Sequence, residues 1–190
     1  MNRHKSDTAS LQADPDFFRA AVTFTAQRTA FSPRLIEKDY FCTVLLEYLA
    51  SMSETLIFKG GTCLAKVHAG FYRLSEDLDF VISMPTGARR TERSRQAAVV
   101  KKALQGLPGL LPSFQIIQPL TGANNSTQYI AVFGYKSMIL ERQETIKMEV
   151  GLREPLLTAV HSGLANTILL NPVSDQQSDN PDIFALHFQN

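Results

Sequence analysis

Asp77 and Asp79 stand one residue apart in Ser75-Glu76-Asp77-Leu78-Asp79-Phe80. Side chains two apart on a strand share a face, so the two carboxylates project together. Held that close they repel, and a hard cation that takes oxygen ligands, Mg²⁺ above all, relieves the repulsion. Upstream, Phe58-Lys59-Gly60-Gly61-Thr62 is a strand entering a glycine turn and a hydroxyl residue. Backbone N–H groups in such a turn can cradle phosphate. A phosphate cradle beside metal-binding carboxylates suggests chemistry on a nucleotide. The plainer readings are charges guarding an edge strand and an ordinary strand-to-helix turn in which glycine supplies positive φ. Against the first, Leu78, Phe80 and Ile82 fill the other face of the aspartate strand and anchor it in a core. The turn is neither a P-loop nor a G-x-G-x-x-G fingerprint.

A third acid is Glu149. In Lys147-Met148-Glu149-Val150-Gly151-Leu152-Arg153, alternation puts Lys147, Glu149, Gly151 and Arg153 on one face. A strand of this kind beside the aspartates would bring Glu149 to them, and two-metal phosphoryl chemistry uses about three carboxylates. Lys147 and Arg153 would then flank the site and offset phosphate charge. From this segment alone, an ordinary half-exposed strand is an equal reading. Lys59, Arg73 and Ser75 are either phosphate contacts or polar residues at strand ends. The basic run Arg89-Arg90-Thr91-Glu92-Arg93-Ser94-Arg95, with Lys101 and Lys102, reads first as a solvated helix face and second as a landing surface for RNA backbone. His4, His68, His161 and His187 show no pairing with Ser or Cys that suggests a triad. A metal-dependent nuclease is disfavoured, because its usual E-x-K order is reversed here as Lys147-x-Glu149.

These residues need elements to position them. Asp14-Pro15-Asp16 marks a helix start, and the helix runs to about Arg28 with Phe17, Ala20, Ala21 and Phe24 on its inner face. Ser32-Pro33 starts a longer helix to about Ser51, facing inward with Leu35, Tyr40, Leu45, Leu46 and Leu49. A strand over 55–59, a short helix over 62–69 and the aspartate strand over 74–82 follow. After the breaker cluster Met84-Pro85-Thr86-Gly87, an amphipathic helix spans 88–105 with Ala97, Val100 and Leu104 inward. Strands follow over 114–118, 128–136 and 144–152, the first two separated by the turn Gly122–Ser126. From Pro155 the pattern becomes loosely helical or irregular, with a last strand over 183–188. Helices around a mixed β-sheet give an α+β or α/β domain.

The 190 residues fit one domain: 1–13 a flexible N-terminus, 14–154 the core with its N-terminal helices, and 155–190 a divergent or truncated C-terminal segment. Hydrophobic residues make up 44% of the chain, enough for a core, and a net charge of +1 neither demands nor excludes a nucleic-acid partner. Cys42 and Cys63 are too few for a disulfide framework and lack metal-ligand spacing, so both are expected as reduced, half-buried thiols. The polar N-terminus is no signal peptide, and no apolar run approaches the ~20 residues of a membrane span. A cytoplasmic protein is the expectation.

Ile36-Glu37-Lys38-Asp39-Tyr40, Phe58-Lys59-Gly60-Gly61-Thr62 and Arg73-Leu74-Ser75-Glu76-Asp77-Leu78-Asp79-Phe80 together resemble the AbiEii/AbiGii toxin family of nucleotidyltransferases. The resemblance is ordered over about 36–82 and looser through Glu149 to Arg153. It implies a polymerase beta-like nucleotidyltransferase core and a toxin of a toxin–antitoxin or phage-defence system. Such a protein binds a nucleoside triphosphate with Mg²⁺ (two ions, with Mn²⁺ a substitute) and transfers a nucleotide, in some members to tRNA. Carried over by position, Gly61 and Thr62 would hold the triphosphate, with Lys59, Gly60, Arg73 and Ser75 the further NTP-binding candidates from the residues themselves. Asp77, Asp79 and Glu149 would be the catalytic acids and metal ligands. Lys38 and Asp39 would buttress the site, and a cognate antitoxin would be encoded nearby. The family's helical C-terminal region, with its E-x-x-A-x-K-like and R-D-x-x-D-like segments, has no counterpart after Pro155. That departure keeps a second reading open, a relative that binds without catalysing.

Overall fold

The computed structural model describes residues 14–53, 55–71, 73–153, 156, 159–174 and 182–186. Helix α1 (Pro15–Arg28) starts where Asp14 Oδ1 accepts from the N–H groups of Asp16 and Phe17, with Pro15 at the first helical position. Its buried face is Phe18, Ala21, Val22 and Thr25, one residue round from the expected set. Phe18 decides the rotation, because its ring packs 4.9 Å from that of Tyr40.

Helix α2 (Pro33–Met52) departs further from expectation. Instead of one inner face, every residue from Ile36 to Leu46 is buried. A helix apolar on one side only would sit on the surface, whereas α2 lies inside the molecule and must bury Glu37, Lys38 and Asp39 as well. Around it pack Phe18, Phe114 and Tyr135, the last stacked on Phe41 at 4.1 Å.

Strand β1 (Ile57–Lys59) leads into helix α3 (Gly60–Cys63), which continues as a π-helical turn over Leu64–His68. Strand β2 (Leu78–Ser83), helix α4 (Arg90–Gln105), the short helix α5 (Leu107–Leu110) and strands β3 (Phe114–Ala123), β4 (Gln128–Lys136) and β5 (Gln143–Arg153) follow. The aspartate strand is shorter than expected: its ladder opens at Leu78, so Asp77 precedes it. Beyond Pro155, where a loosely helical or irregular stretch with a last strand is expected, the described residues form β6 (Val160–Leu164), an irregular stretch over 165–169 and β7 (Asp182–Leu186).

All seven strands form one mixed sheet in the order β3-β4-β5-β2-β1-β7-β6. β2 is parallel to β5 and antiparallel to β1, which places it in the interior of the sheet. Alternation gives the sheet two unlike faces. Phe58, Leu78, Phe80, Ile82, Met148, Val150, Leu152, Tyr129, Ala131 and Phe133 share one core with α1, α2 and α4. Lys59, Asp79, Lys147 and Glu149 alternate with them onto the other face. Among the described residues, no helix is long and apolar enough to cross a membrane. Residues 1–13, given above as a flexible N-terminus, lie outside the described residues.

Candidate active site

The strand register assembles the site. Asp79 lies opposite Glu149 on parallel β5 and opposite Lys59 on antiparallel β1, so Lys59, Asp79 and Glu149 form one row across three strands. Neighbouring strands lie about 4.8 Å apart. Lys147, two residues before Glu149, sits with its Nζ 3.6 Å from Glu149 Oε2. Glu149 therefore stands beside Asp79, the first of the two readings its segment left open.

The glycine turn closes on this row from one side. Gly60 has φ +78°, a conformation that disfavours other residues, and a Cβ built there would lie 2.5 Å from Asp79 Oδ2. A Cβ on Gly61 would run into the Arg73 guanidinium and lie 3.5 Å from Ser75 Oγ. Both glycines are thus places where backbone passes against the side chains of Asp79, Arg73 and Ser75. Thr62 is buried, and its hydroxyl donates to the Asp77 carbonyl at 2.5 Å. That bond ties the turn to the residue just ahead of the β2 ladder.

The electrostatics agree with this geometry. Burial pushes the Asp79 carboxyl above its usual range; Lys59 opposes the shift, Glu149 and Asp77 add to it, and Lys147 again opposes it. Asp79 thus feels two neighbouring acids and two lysines at once. Hard carboxylate oxygens whose charges repel are donors suited to Mg²⁺, so the chemistry of the donor set fits the ion. Among the described residues, however, no three His, Cys, Asp or Glu side chains are gathered as a ready-made ligand set. Glu149 is engaged by Lys147 instead. Arg153 closes β5 opposite Ser83; its side chain lies outside the described residues.

Three charged residues in a row on α2, Glu37, Lys38 and Asp39, point different ways. Glu37 accepts from Ser137 Oγ at 2.5 Å and from the N–H groups of Met138 and Ile139 at 2.7 and 3.3 Å, fastening the β4–β5 connection. Asp39 pairs with Lys66 Nζ at 2.6 Å and accepts from Thr167 Oγ1 and Ile168 N, fastening the segment after β6. Lys66 also donates to Thr43 Oγ1 and the Asp39 carbonyl. Lys38 donates to Glu76 Oε2 at 2.8 Å, and Arg34 donates to the same oxygen at 2.8 Å and to Glu144 at 3.1 Å. Arg34, Lys66 and Glu76 escaped the sequence reading. The available signal was the i, i+4 spacing of Arg34 and Lys38 at the start of a run otherwise too apolar to carry unpaired charge.

The remaining candidates fall elsewhere. Helix α4 packs through Ala97, Val100 and Leu104 onto the core face of the sheet, away from the carboxylate row. Of its basic residues, Arg93 is bound to the Ala88 and Asn125 carbonyls and Lys101 lies 5.2 Å over the Tyr129 ring. Arg89, Arg90, Arg95 and Lys102 face solvent, as a solvated face requires. His68 and His161 are exposed, while His4 and His187 lie outside the described residues. Cys42 and Cys63 are fully rather than half buried. Burial pushes the Cys42 thiol up to about 12, which leaves it unreactive.

Comparison with known proteins sets this geometry in a family. No curated protein matches the chain. Two crystal structures from Helicobacter pylori are similar to it: a candidate nucleotidyltransferase at 17% identity, covering 69% of this chain and 51% of that one, and JHP933 at 19% identity, covering 69% and 50%. Each has a TM-score of 0.46. The chain thus spans about half the length of these two proteins. Residues 44–177 match the family described as nucleotidyl transferase AbiEii toxin, type IV TA system, which takes in β1 through β6 and every described site residue. With well over half its length so matched, the chain belongs to the AbiEii nucleotidyltransferase toxin family.

Proposed function

We propose that the protein is a Mg²⁺-dependent nucleotidyltransferase that moves a nucleotide from an NTP to an acceptor hydroxyl on RNA, with tRNA the first acceptor to test. The observation that carries this reading is the row Lys59–Asp79–Glu149, with the Gly60-Gly61 turn passing against Asp79 and Arg73. In the reaction an acceptor oxygen attacks the α-phosphorus, the bond to the β-phosphate oxygen breaks, and pyrophosphate leaves. Asp77, Asp79 and Glu149 would hold the ions, which when bound offset phosphate charge and ease loss of the acceptor proton. The amides of Gly60, Gly61 and Thr62 would take the β- and γ-phosphates, with Lys59, Arg73, Ser75, Lys147 and Arg153 around them. Such a site contributes chiefly by orienting reactants and meeting charge as it develops. The physiological setting we infer is the cytoplasm, with a cognate antitoxin restraining the activity.

Incubation of the full chain with each α-labelled NTP, Mg²⁺ and total tRNA tests the proposal. Label should enter RNA with one NTP in preference to the others, and Asp77→Asn should abolish it. Absence of transfer under every combination, from folded protein, would reject the catalytic reading. A second reading, a relative that binds without catalysing, draws on the engagement of Glu149 by Lys147. It predicts that Asp77→Asn leaves toxicity and antitoxin binding unchanged.

A further inference from the structure

Of the three charged residues in sequence on α2, Glu37 and Asp39 are accounted for by the segments they fasten. Lys38 is not, because it reaches toward the site. Its side chain is only 9% exposed and its ammonium ends on Glu76 Oε2, where Arg34, one turn earlier, ends too. Two cations on one oxygen grip Glu76 from the helix layer. Glu76 is the immediate neighbour of Asp77, whose backbone precedes the first ladder pair of β2, Leu78 with Met148. The sheet therefore does not hold Asp77. What holds that stretch is Thr62, bonded to the Asp77 carbonyl, and the two α2 cations on Glu76.

We propose that Lys38 and Arg34, acting through Glu76, are positioning residues that set the orientation of the Asp77 carboxylate, so that the helix layer fixes geometry on the opposite face of the sheet. The proposal rests on the reading of Asp77 and Asp79 as cation ligands. An exposed ion pair is worth little, but a desolvated ammonium is costly to leave unpaired, so Lys38 stays on Glu76 while the fold persists. Cation affinity depends on carboxylates held in place, and loss of the groups that orient ligands typically weakens binding about 10- to 100-fold.

The test uses Mn²⁺ alone as probe, its free concentration followed by electron paramagnetic resonance on the full chain, with melting temperature measured in parallel. Lys38→Met and Glu76→Gln should each bind Mn²⁺ about tenfold more weakly per folded molecule, and Lys38→Arg should restore the affinity. The double variant should be no weaker than either single one, since both act on one path. Wild-type affinity in Lys38→Met and Glu76→Gln, with Asp79→Asn unable to bind, would overturn the positioning role and leave the site reading intact. Mn²⁺ binding unaffected by Asp79→Asn would remove the site reading and this proposal together. Should Lys38→Met fail to fold, Glu76→Gln, whose side chain is 40% exposed, decides alone.

Discussion

Asp79 is the residue on which the site's character turns. Burial raises its pKa, so the folded state binds the proton more tightly than the unfolded chain does. Stability then falls as pH rises from the unfolded value, about 4, through the raised folded value. Asp79→Asn removes that cost. Its melting temperature at pH 7 without divalent ions should exceed wild type, by about 2–4 °C for each kcal/mol. The gain should vanish below about pH 4. Scanning fluorimetry decides the matter, and Mg²⁺ should raise the wild type toward the variant while leaving the variant unmoved. Gly60→Ala addresses the same contact from the backbone. Its positive φ costs about 1–2 kcal/mol for an L side chain, and the new Cβ must push Asp79 aside. Transfer activity, assayed beside urea unfolding, should fall by far more than that stability loss accounts for.

At the scale of elements, α2 organises the molecule and was the element least legible in the sequence. Its start was visible in Ser32-Pro33, because proline at a first-turn position is a local signal. That it is buried on every side was not, since burial of Glu37 and Asp39 depends on partners 27 to 129 residues away. The aspartate strand read long for a related reason. Leu74 keeps the two-residue spacing of Leu78 and Phe80, but Thr62 and Glu76, rather than a ladder, hold the residues before Leu78. The bounds expected for β4, 128–136, agree with the structure, because a turn-forming cluster precedes this apolar stretch. The ion pair of Lys66 with Asp39 carries a definite expectation. Removing one partner leaves the other charged and buried, at a cost of about 3–5 kcal/mol. Chemical denaturation should show Lys66→Met and Asp39→Asn each destabilised on that scale, and the double variant less so than their sum. A loss under 1 kcal/mol for both would mean that the pair anchors nothing.

At the scale of the whole molecule, a seven-stranded mixed sheet separates two jobs. One face carries the core with α1, α2 and α4, and the other carries the row of charge. The acids and the glycine turn were legible because two-residue alternation and paired glycines leave marks in sequence. The convergence of Glu149 with Asp79, 70 positions apart in sequence, was a conjecture until the β2–β5 register supplied it. Family membership accords with this layout, since the matched span contains all three acids. The proposed activity requires this row to bind nucleoside triphosphate together with Mg²⁺. Calorimetric titration of an NTP into the full chain, with and without Mg²⁺, tests it most directly. Binding should need Mg²⁺ and should disappear in both Asp79→Asn and Glu149→Gln. Binding of equal strength without Mg²⁺, or undiminished in those two variants, would contradict it.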